Sequence, residues 1–315
     1  MEGSGERVLQ LSSPNGKRTV ASLRSRMDRL PLFATFWAFK AHVLELFLIA
    51  GAYAVYLLSR GLIFSDLESV GLANAGRVIS VEESLGIFWE PVWQSWILDH
   101  ADALALFLNW VYIITYWPII VVVGLVLYFV NRPRYYYYRS VVVISLAFAL
   151  LIFMLFPVTS PFNINTHFVD TIQTLGPSMY GSPDMAFFYN TTAAMPSLHF
   201  SWTLVLGILF VRSLKGWFRL VGILYPAMTF FAITVTGNHF ILDAAAGGAL
   251  VVVAFAVMEL GFRRGLFRWD GKWAGQRGLP GRRGILSPET WPRSSTRQVV
   301  MFWRRETARR RAASR

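Results

Sequence analysis

Six apolar segments, each near the length of a membrane-spanning helix, divide the middle of this 315-residue chain. About 20 apolar residues cover the roughly 30 Å hydrocarbon core of a bilayer. The segments lie at about residues 41–58, 104–130, 140–157, 198–211, 217–236 and 241–261. The second is long, and Pro118 predicts a kink within it. The sequence therefore predicts an all-α integral membrane protein, built as a six-transmembrane helical bundle.

The composition supports this fold class. Hydrophobic residues make up 55% of the chain and charged residues only 15%, whereas soluble domains are about 45–50% apolar and about 25% charged. Because there are too few polar residues to cover a water-facing surface, we exclude a soluble enzyme. The chain has no cysteine, which excludes a disulfide scaffold and a cysteine-based metal site.

The net charge is positive only at the two ends of the chain. The net charge is +4 over residues 1–40, −4 over 41–262 and +12 over 263–315. We therefore predict a basic N-terminal tail (1–32), a membrane domain (33–262) and a basic, disordered C-terminal tail (263–315). Nothing beyond charge favours nucleic-acid binding, and the expected partner of the tails is the lipid bilayer, whose anionic leaflet attracts basic residues.

The loop charges predict the topology. Basic residues occupy two of the loops: Arg132, Arg134 and Arg139, and then Arg212, Lys215 and Arg219. The loops at 157–196 and 236–240 have no lysine or arginine. By the positive-inside rule, both tails are cytoplasmic and the two charge-poor loops are extracytoplasmic. The N-terminus has no secretory signal peptide, and the arginine-rich tail indicates a bacterial plasma membrane.

The segment from residue 61 to 102 mixes acidic and apolar residues. Its tryptophans at 89, 93 and 96 share one helical face, which predicts an interfacial amphipathic helix in the headgroup region. Core packing would give the same pattern. The first apolar segment also contains an acidic residue, Glu45, three residues after His42. This carboxylate is either functional or an ordinary side chain in the bundle interior.

Two of the five histidines stand where the charge-poor loops re-enter the membrane. His239 precedes Asp243 by four residues, so a helix places both on one face. A carboxylate there can fix the imidazole tautomer and leave the other ring nitrogen available to react. His199 follows Pro196 and Ser197, which predict a helix start with a serine cap and an N-terminus suited to an anion.

These residues resemble a known family. Met195-Pro-Ser-Leu-His199, followed by His239-x-x-x-Asp243, resembles the type 2 phosphatidic acid phosphatase superfamily. Within it the chain is most similar to the inositol phosphorylceramide synthase-like branch, which has Pro-Ser-Leu-His where the phosphatases mostly have Pro-Ser-Gly-His. Phe168-Val-Asp-Thr and Gly247-Gly248 also resemble that branch. The resemblance covers about residues 80–262.

The resemblance implies a mechanism without a metal or other cofactor. His239 would attack phosphorus as the nucleophile, with Asp243 orienting it, to give a phosphohistidine. His199 would protonate the departing oxygen and then activate the acceptor. Ser197 and the backbone amides after it would hold the phosphoryl oxygens.

The chain departs from the phosphatases of this superfamily in its basic residues. Their Lys-x6-Arg-Pro and Ser-Arg-x5-His motifs are missing: Ile233 and Ala232 replace the second motif's arginine and serine. The only Arg-Pro, Arg132-Pro133, falls on the predicted cytoplasmic side, where we expect it to anchor a Tyr135–Tyr138 belt at the membrane interface.

The loop that would hold the first phosphatase motif offers Ser160, Asn163 and Asn165 instead of basic side chains. Such a site favours a phosphodiester over a more highly charged phosphomonoester, and it also leaves room for an inactive site. Asn190 and Asn238 are further candidates for substrate binding. Asp170 would either accept hydrogen bonds from a polyol headgroup or cap a loop.

Three hypotheses follow. The first is a membrane lipid phosphotransferase that moves a phospho-headgroup, plausibly phosphoinositol, to a lipid or glycan alcohol. The second is a lipid phosphate phosphatase with water as acceptor, and the third is an inactive lipid-binding membrane protein. The substrate would be a phospholipid or a polyprenyl phosphate, and the sequence makes no prediction of the oligomeric state.

Overall fold

The structure, a computed structural model, describes residues 31–63, 68–164, 168–177 and 192–264. Its α-helices are α1 Pro31–Ile63, α2 Glu68–Leu85, α3 Glu90–His100, α4 Asp102–Ile114, α5 Trp117–Val130, α6 Arg132–Leu155, α7 Thr171–Leu175, α8 Leu198–Ser213, α9 Arg219–Val235 and α10 Ile241–Arg263. Short 3-10 turns lie at Pro161–Asn163 and Gly216–Phe218. Within the described residues there is no β-strand, only an isolated bridge, so the all-α prediction is confirmed. Most of both predicted tails lies outside these residues.

The chain divides into two units, Met1–Leu58 and Ser59–Arg315. The described part of the first unit is helical and belongs to α1. Along it, Leu44, Leu46 and Phe47 are exposed, whereas Glu45 is buried. The described remainder of the chain forms the second unit, which contains the predicted site.

Three helical stretches are long and apolar enough to cross a membrane: α6, Gly216–Val235 and α10. The pair α4 and α5 makes a fourth if the two are counted as one bent span. Two further apolar stretches, His42–Leu57 and Leu198–Ser213, are shorter. The membrane class agrees with the prediction, and the count of six spans stays a prediction.

The kink that we expected in the second segment is present. Helices α4 and α5 meet at an angle of 41°, and the break falls at Thr115 and Tyr116, just before Pro118. Proline has no N–H to donate and is tolerated in the first turn of a helix, so it begins α5 and does not continue α4. The bend brings Tyr112 and Tyr116 beside His199.

Helices α8 and α9 form a tight antiparallel hairpin. A Cβ atom added at Gly207 would lie 2.5 Å from the carbonyl oxygen of Gly222, and one added at Gly222 would lie 2.5 Å from that of Gly207. Only glycine at both positions permits this approach. On its other faces α8 packs against α6 and α10, and these contacts fix the helix that begins with His199.

Helix α3 turns its polar face toward the protein and leaves two of its three tryptophans half-exposed. Its buried residues are Glu90, Gln94 and Ile97, while Trp96 is 57% exposed and Trp93 packs against Phe230 and Phe231 of α9. The tryptophans thus form a partly exposed edge, and the polar face points into the protein. The buried polar face of α3 places the Glu90 carboxyl and the Gln94 amide beside the predicted site.

The tyrosine run at 135–138 does not form the exposed belt that we expected at the membrane interface. Tyr135, Tyr137 and Tyr138 are 3–6% exposed and lie inside the helical bundle. Tyr137 and Tyr138 pack against Phe255 of α10. Four tyrosines in a row lie on all sides of a helix, so most of them face neighbouring helices and only part of the run can reach lipid.

Candidate active site

Three connecting segments meet at the end of the bundle where α8 and α10 begin. The Val158 N–H donates to the Thr192 carbonyl at 3.1 Å, and the Ala194 N–H donates to the Val158 carbonyl at 3.0 Å. The Phe162 N–H donates to the Gly237 carbonyl at 2.9 Å. These bonds join the segment after α6 to the turns that precede His199 and His239. The convergence on which the predicted site depends is therefore present.

One ring nitrogen of His239, Nδ1, faces two hydrogen-bond acceptors. Nδ1 lies 3.0 Å from the Ala194 carbonyl oxygen and 3.3 Å from Asp243 Oδ2. The same carboxylate oxygen accepts the Phe240 N–H at 2.9 Å. Because a carbonyl can only accept, the network assigns the ring proton to Nδ1. This leaves Nε2 with its lone pair, as a nucleophile requires.

His199 faces His239 across a short gap. The two ring centroids are 5.9 Å apart, with the ring planes inclined by 55°. A tetrahedral phosphorus between them would lie within bonding or hydrogen-bonding reach of both rings. The two histidines that the sequence separates by 40 residues thus address one position in space.

Aromatic rings fix the plane of the His199 imidazole. Tyr112 and Tyr116 stack on it, with centroid distances of 4.4 and 3.9 Å. Tyr116 stacks in turn on Trp202. Stacked rings restrict rotation of the imidazole and leave its edge toward His239. This stack could not be predicted from the sequence, because it depends on the bend between α4 and α5.

Ser197 caps α8 as predicted. Its Oγ accepts the Phe200 N–H at 3.3 Å, and its own N–H donates to the Asp243 carbonyl at 3.0 Å. The first N–H groups of a helix have no carbonyl partner within it, so the start of α8 offers amide donors beside His199. A Cβ atom at Gly247 would lie 2.6 Å from the Ser197 carbonyl, which shows how closely α10 approaches this turn.

Ser160 and Asn163 lie in the segment that is bonded to the His239 turn. Ser160 is buried, and its carbonyl accepts the Asn163 N–H at 3.1 Å. Both flank Phe162, whose N–H reaches Gly237. The structure therefore brings these two predicted residues next to the turn that carries His239. Asn165 and Asn190, the other predicted amides, lie outside the described residues.

Asp170 and Asn238 hold local structure. Asp170 Oδ1 accepts the N–H groups of Ile172 and Gln173, both at 3.0 Å, and so caps α7. This is the capping alternative that the sequence left open. The buried Asn238 donates from Nδ2 to Thr236 Oγ1 at 2.7 Å, which stabilises the turn before His239.

Two glutamates that we did not single out from the sequence complete the start of α10. Glu90 Oε1 accepts the Ile241 N–H, and Glu82 Oε1 accepts the Leu242 N–H, each at 2.7 Å. Both side chains are 0% exposed. Burial raises the pKa of both carboxyls, and the pKa of Glu82 rises to about 9, with the neighbouring Glu90 and Asp243 adding to the effect. The sequence has seven acidic residues between 61 and 102, and it does not indicate which of them point inward.

Arg77 is joined through Asn74 to the segment that follows α6. Its Nη1 donates to Asn74 Oδ1 at 3.0 Å, and Asn74 Nδ2 donates to the Pro157 carbonyl at 2.8 Å. Arg77 is the only lysine or arginine between residues 61 and 131. A chain-wide search for isolated basic residues could have found it.

Among the residues that the structure describes, no group of three or more histidine, aspartate or glutamate side chains is arranged to hold a metal ion.

Comparison with known proteins gives one result. A family model described as the PAP2 superfamily matches residues 76–257, which is more than half of the chain. The match includes both histidines, Asp243, and the two buried glutamates. Searches of curated proteins and of solved structures found no match.

Proposed function

The chain belongs to the PAP2 superfamily, the type 2 phosphatidic acid phosphatases, and on that basis we propose that it is a membrane lipid phosphotransferase. It is a phosphatase or phosphotransferase of this superfamily. The proposed reaction moves a phospho-headgroup, plausibly phosphoinositol, from a phospholipid to a lipid or glycan alcohol. The observation that carries the proposal is the pair of facing imidazoles, 5.9 Å apart, with the ring proton of His239 on Nδ1.

In the first step, His239 Nε2 attacks the phosphorus of the donor lipid. An N–P bond forms, the bond from phosphorus to the departing oxygen breaks, and His199 donates a proton to that oxygen. The headgroup phosphate is then held on His239. The positive charge of the substituted ring is stabilised by Asp243, whose Oδ2 lies 3.3 Å from Nδ1, and by the Ala194 carbonyl.

In the second step, His199 takes the proton from the acceptor hydroxyl. The acceptor oxygen attacks phosphorus, the N–P bond breaks, and His239 regains its lone pair. Charge that develops on the phosphoryl oxygens in both steps is stabilised by the N-terminal amides of α8 and by Ser197. We expect no metal in this cycle.

The scarcity of basic side chains supports the transferase. The loops that meet at the site carry no lysine or arginine, and amide donors alone suit the single charge of a phosphodiester better than the higher charge of a monoester. The Pro-Ser-Leu-His sequence, which resembles the inositol phosphorylceramide synthase-like branch, supports the same choice. The second candidate is a phosphatase with water as acceptor, and the observation that favours it is Arg77, a basic side chain joined through Asn74 to the segment after α6.

The proposed setting is a bacterial plasma membrane. Six spans would place both termini in the cytoplasm and the site on the extracytoplasmic side, because the basic loops lie at the opposite end of the helices. There, Arg134 Nη1 donates to Ser213 Oγ at 3.2 Å, at the far end of α8 from His199. The donor would enter from the bilayer as a phospholipid or polyprenyl phosphate.

The test is a comparison of products from the full-length protein purified in detergent. The protein is incubated with a panel of phospholipids and long-chain alcohols, and the products are identified by mass spectrometry. We expect new phosphodiester lipids from the unmodified protein, none from His239→Ala, and normal yield from His100→Ala, whose histidine is exposed on α3. Release of inorganic phosphate would favour the phosphatase, and no His239-dependent product would indicate an inactive lipid-binding protein.

A further inference from the structure

Three consecutive backbone N–H groups at the start of α10 are each bound by a carboxyl group. Asp243 accepts the Phe240 N–H at 2.9 Å, Glu90 accepts that of Ile241, and Glu82 accepts that of Leu242, the last two at 2.7 Å. Helix N-termini attract negative groups, but three buried carboxyls around one turn are costly unless a proton or cation reduces their charge.

The second carboxyl oxygen of each glutamate is where a proton can bind and reduce that negative charge. Oε2 of Glu82 and Oε2 of Glu90 are both buried, and neither has a hydrogen-bond partner. The two carboxyls bind the N–H groups of consecutive residues, Ile241 and Leu242, and burial raises the pKa of each. One shared proton therefore satisfies both orphaned oxygens and removes one negative charge.

We propose that Glu82 and Glu90 are positioning residues, which share one proton and hold the start of α10 so that His239 and Asp243 face His199. The inference rests on the proposed function, because it concerns the orientation of the nucleophile. Ile241 and Leu242 are the two residues that separate the His239–Phe240 turn from Asp243. The pair comes from α2 and α3, so these two helices hold the turn that carries His239.

The shared proton also gives the activity an alkaline limit. The charged groups facing the pair are Asp243 from α10 and each glutamate from the other's helix. Burial raises the pKa of Glu82 to about 9, so the proton is bound below that pH and lost as the pH rises through it. Above it, two carboxylates repel each other and Asp243, and we expect kcat to fall while KM changes little.

Glutamine variants test proton sharing directly. In Glu82→Gln or Glu90→Gln, the amide oxygen can still accept the backbone N–H, and the NH2 group donates permanently to the remaining carboxylate. In the double variant, two NH2 groups face each other when both amide oxygens accept from the backbone. If one amide flips to avoid this, its backbone N–H loses its acceptor, so one hydrogen bond is lost in either orientation. We expect each single variant to keep kcat within about threefold, and the double variant to lose at least about tenfold, since buried unpaired donors cost about 1–3 kcal/mol.

The experiment measures kcat, KM and pH profile for these variants in the full-length protein, with Glu83→Gln as the matched control on the exposed side of α2. We expect the alkaline limb to move upward or vanish in the single variants and to stay in place in Glu83→Gln. A double variant as active as the parent, or a single variant that keeps the parent's limb, would overturn the proposal.

Two controls keep the outcomes separable. Thermal unfolding in detergent identifies a variant that is inactive because it does not fold, and the isosteric single variants then carry the test. An inactive parent protein would count against the proposed function, whereas an active parent with unaffected glutamate variants would count against the positioning role alone.

Discussion

Replacing Gly247 by alanine tests whether the contact between α8 and α10 sets the catalytic geometry. An added Cβ at this position would lie 2.6 Å from the Ser197 carbonyl oxygen and 2.8 Å from Ser201 Oγ. Carbon atoms need about 3.5 Å from their neighbours, so the two helices must separate by about 1 Å. The adjacent Gly248 is the matched control, since a Cβ there would lie 3.7 Å from its nearest neighbour.

The expected magnitudes for the two variants differ in sign. Overpacking costs about 1–3 kcal/mol, whereas alanine in place of a helical glycine gains up to about 1 kcal/mol. Gly247→Ala should therefore unfold at a lower temperature than Gly248→Ala, by about 2–4 °C for each kcal/mol. Its kcat should fall by about 10–100-fold, because a displacement of about 1 Å at a reacting group costs that much.

Thermal unfolding in detergent and steady-state lipid turnover measure both effects. We expect Gly248→Ala to match the parent in turnover. Equal turnover and equal stability in the two alanine variants would refute the reasoning that this close approach aligns His199 with His239.

Three further variants test individual contacts. Asp243→Asn should reduce kcat by about 10–100-fold, less than the ~10⁴-fold seen where a carboxylate alone fixes the tautomer, because the Ala194 carbonyl also binds Nδ1 of His239; a fall beyond 10³-fold would contradict this. Ser197→Ala should destabilise the fold by about 0.5–2 kcal/mol through loss of the α8 cap, measured by thermal unfolding. Asp170→Ala should carry a similar stability cost with an unchanged KM for polyol headgroups, and a raised KM would show that this carboxylate binds substrate.

The helices could be predicted from the sequence because their signals are local. Apolar length indicated the helical segments, Pro118 indicated the break between α4 and α5, and the spacing of four placed His239 and Asp243 on one helix. Ser197 was predicted as a cap for the same reason. Each of these signals lies within one continuous stretch of the chain, and the cap and the shared helical face depend on residues within about one or two turns of each other.

Features that depend on contacts between distant segments could not be predicted. The Ala194 carbonyl reaches His239 across 45 positions of the chain, and Glu82 reaches Leu242 across 160. A mixed acidic and apolar segment does not reveal which carboxyl groups point inward, and the tryptophans of α3 left open whether their face meets lipid headgroups or the core. The tyrosine run misled for a related reason, since its composition is typical of an interface, whereas Tyr135, Tyr137 and Tyr138 are buried in the protein.

The most direct test of the central claim is the isolation of the covalent intermediate. His199→Ala is mixed with a phosphodiester or phosphomonoester that carries a nitrophenolate leaving group, which departs without a general acid. The second step still needs the base, so the substituted phosphate should accumulate on the enzyme. We predict an acid-labile, alkali-stable adduct on the peptide that contains His239, detected by mass spectrometry and missing from His199→Ala/His239→Ala. An adduct on another residue, or turnover without any adduct, would contradict the account.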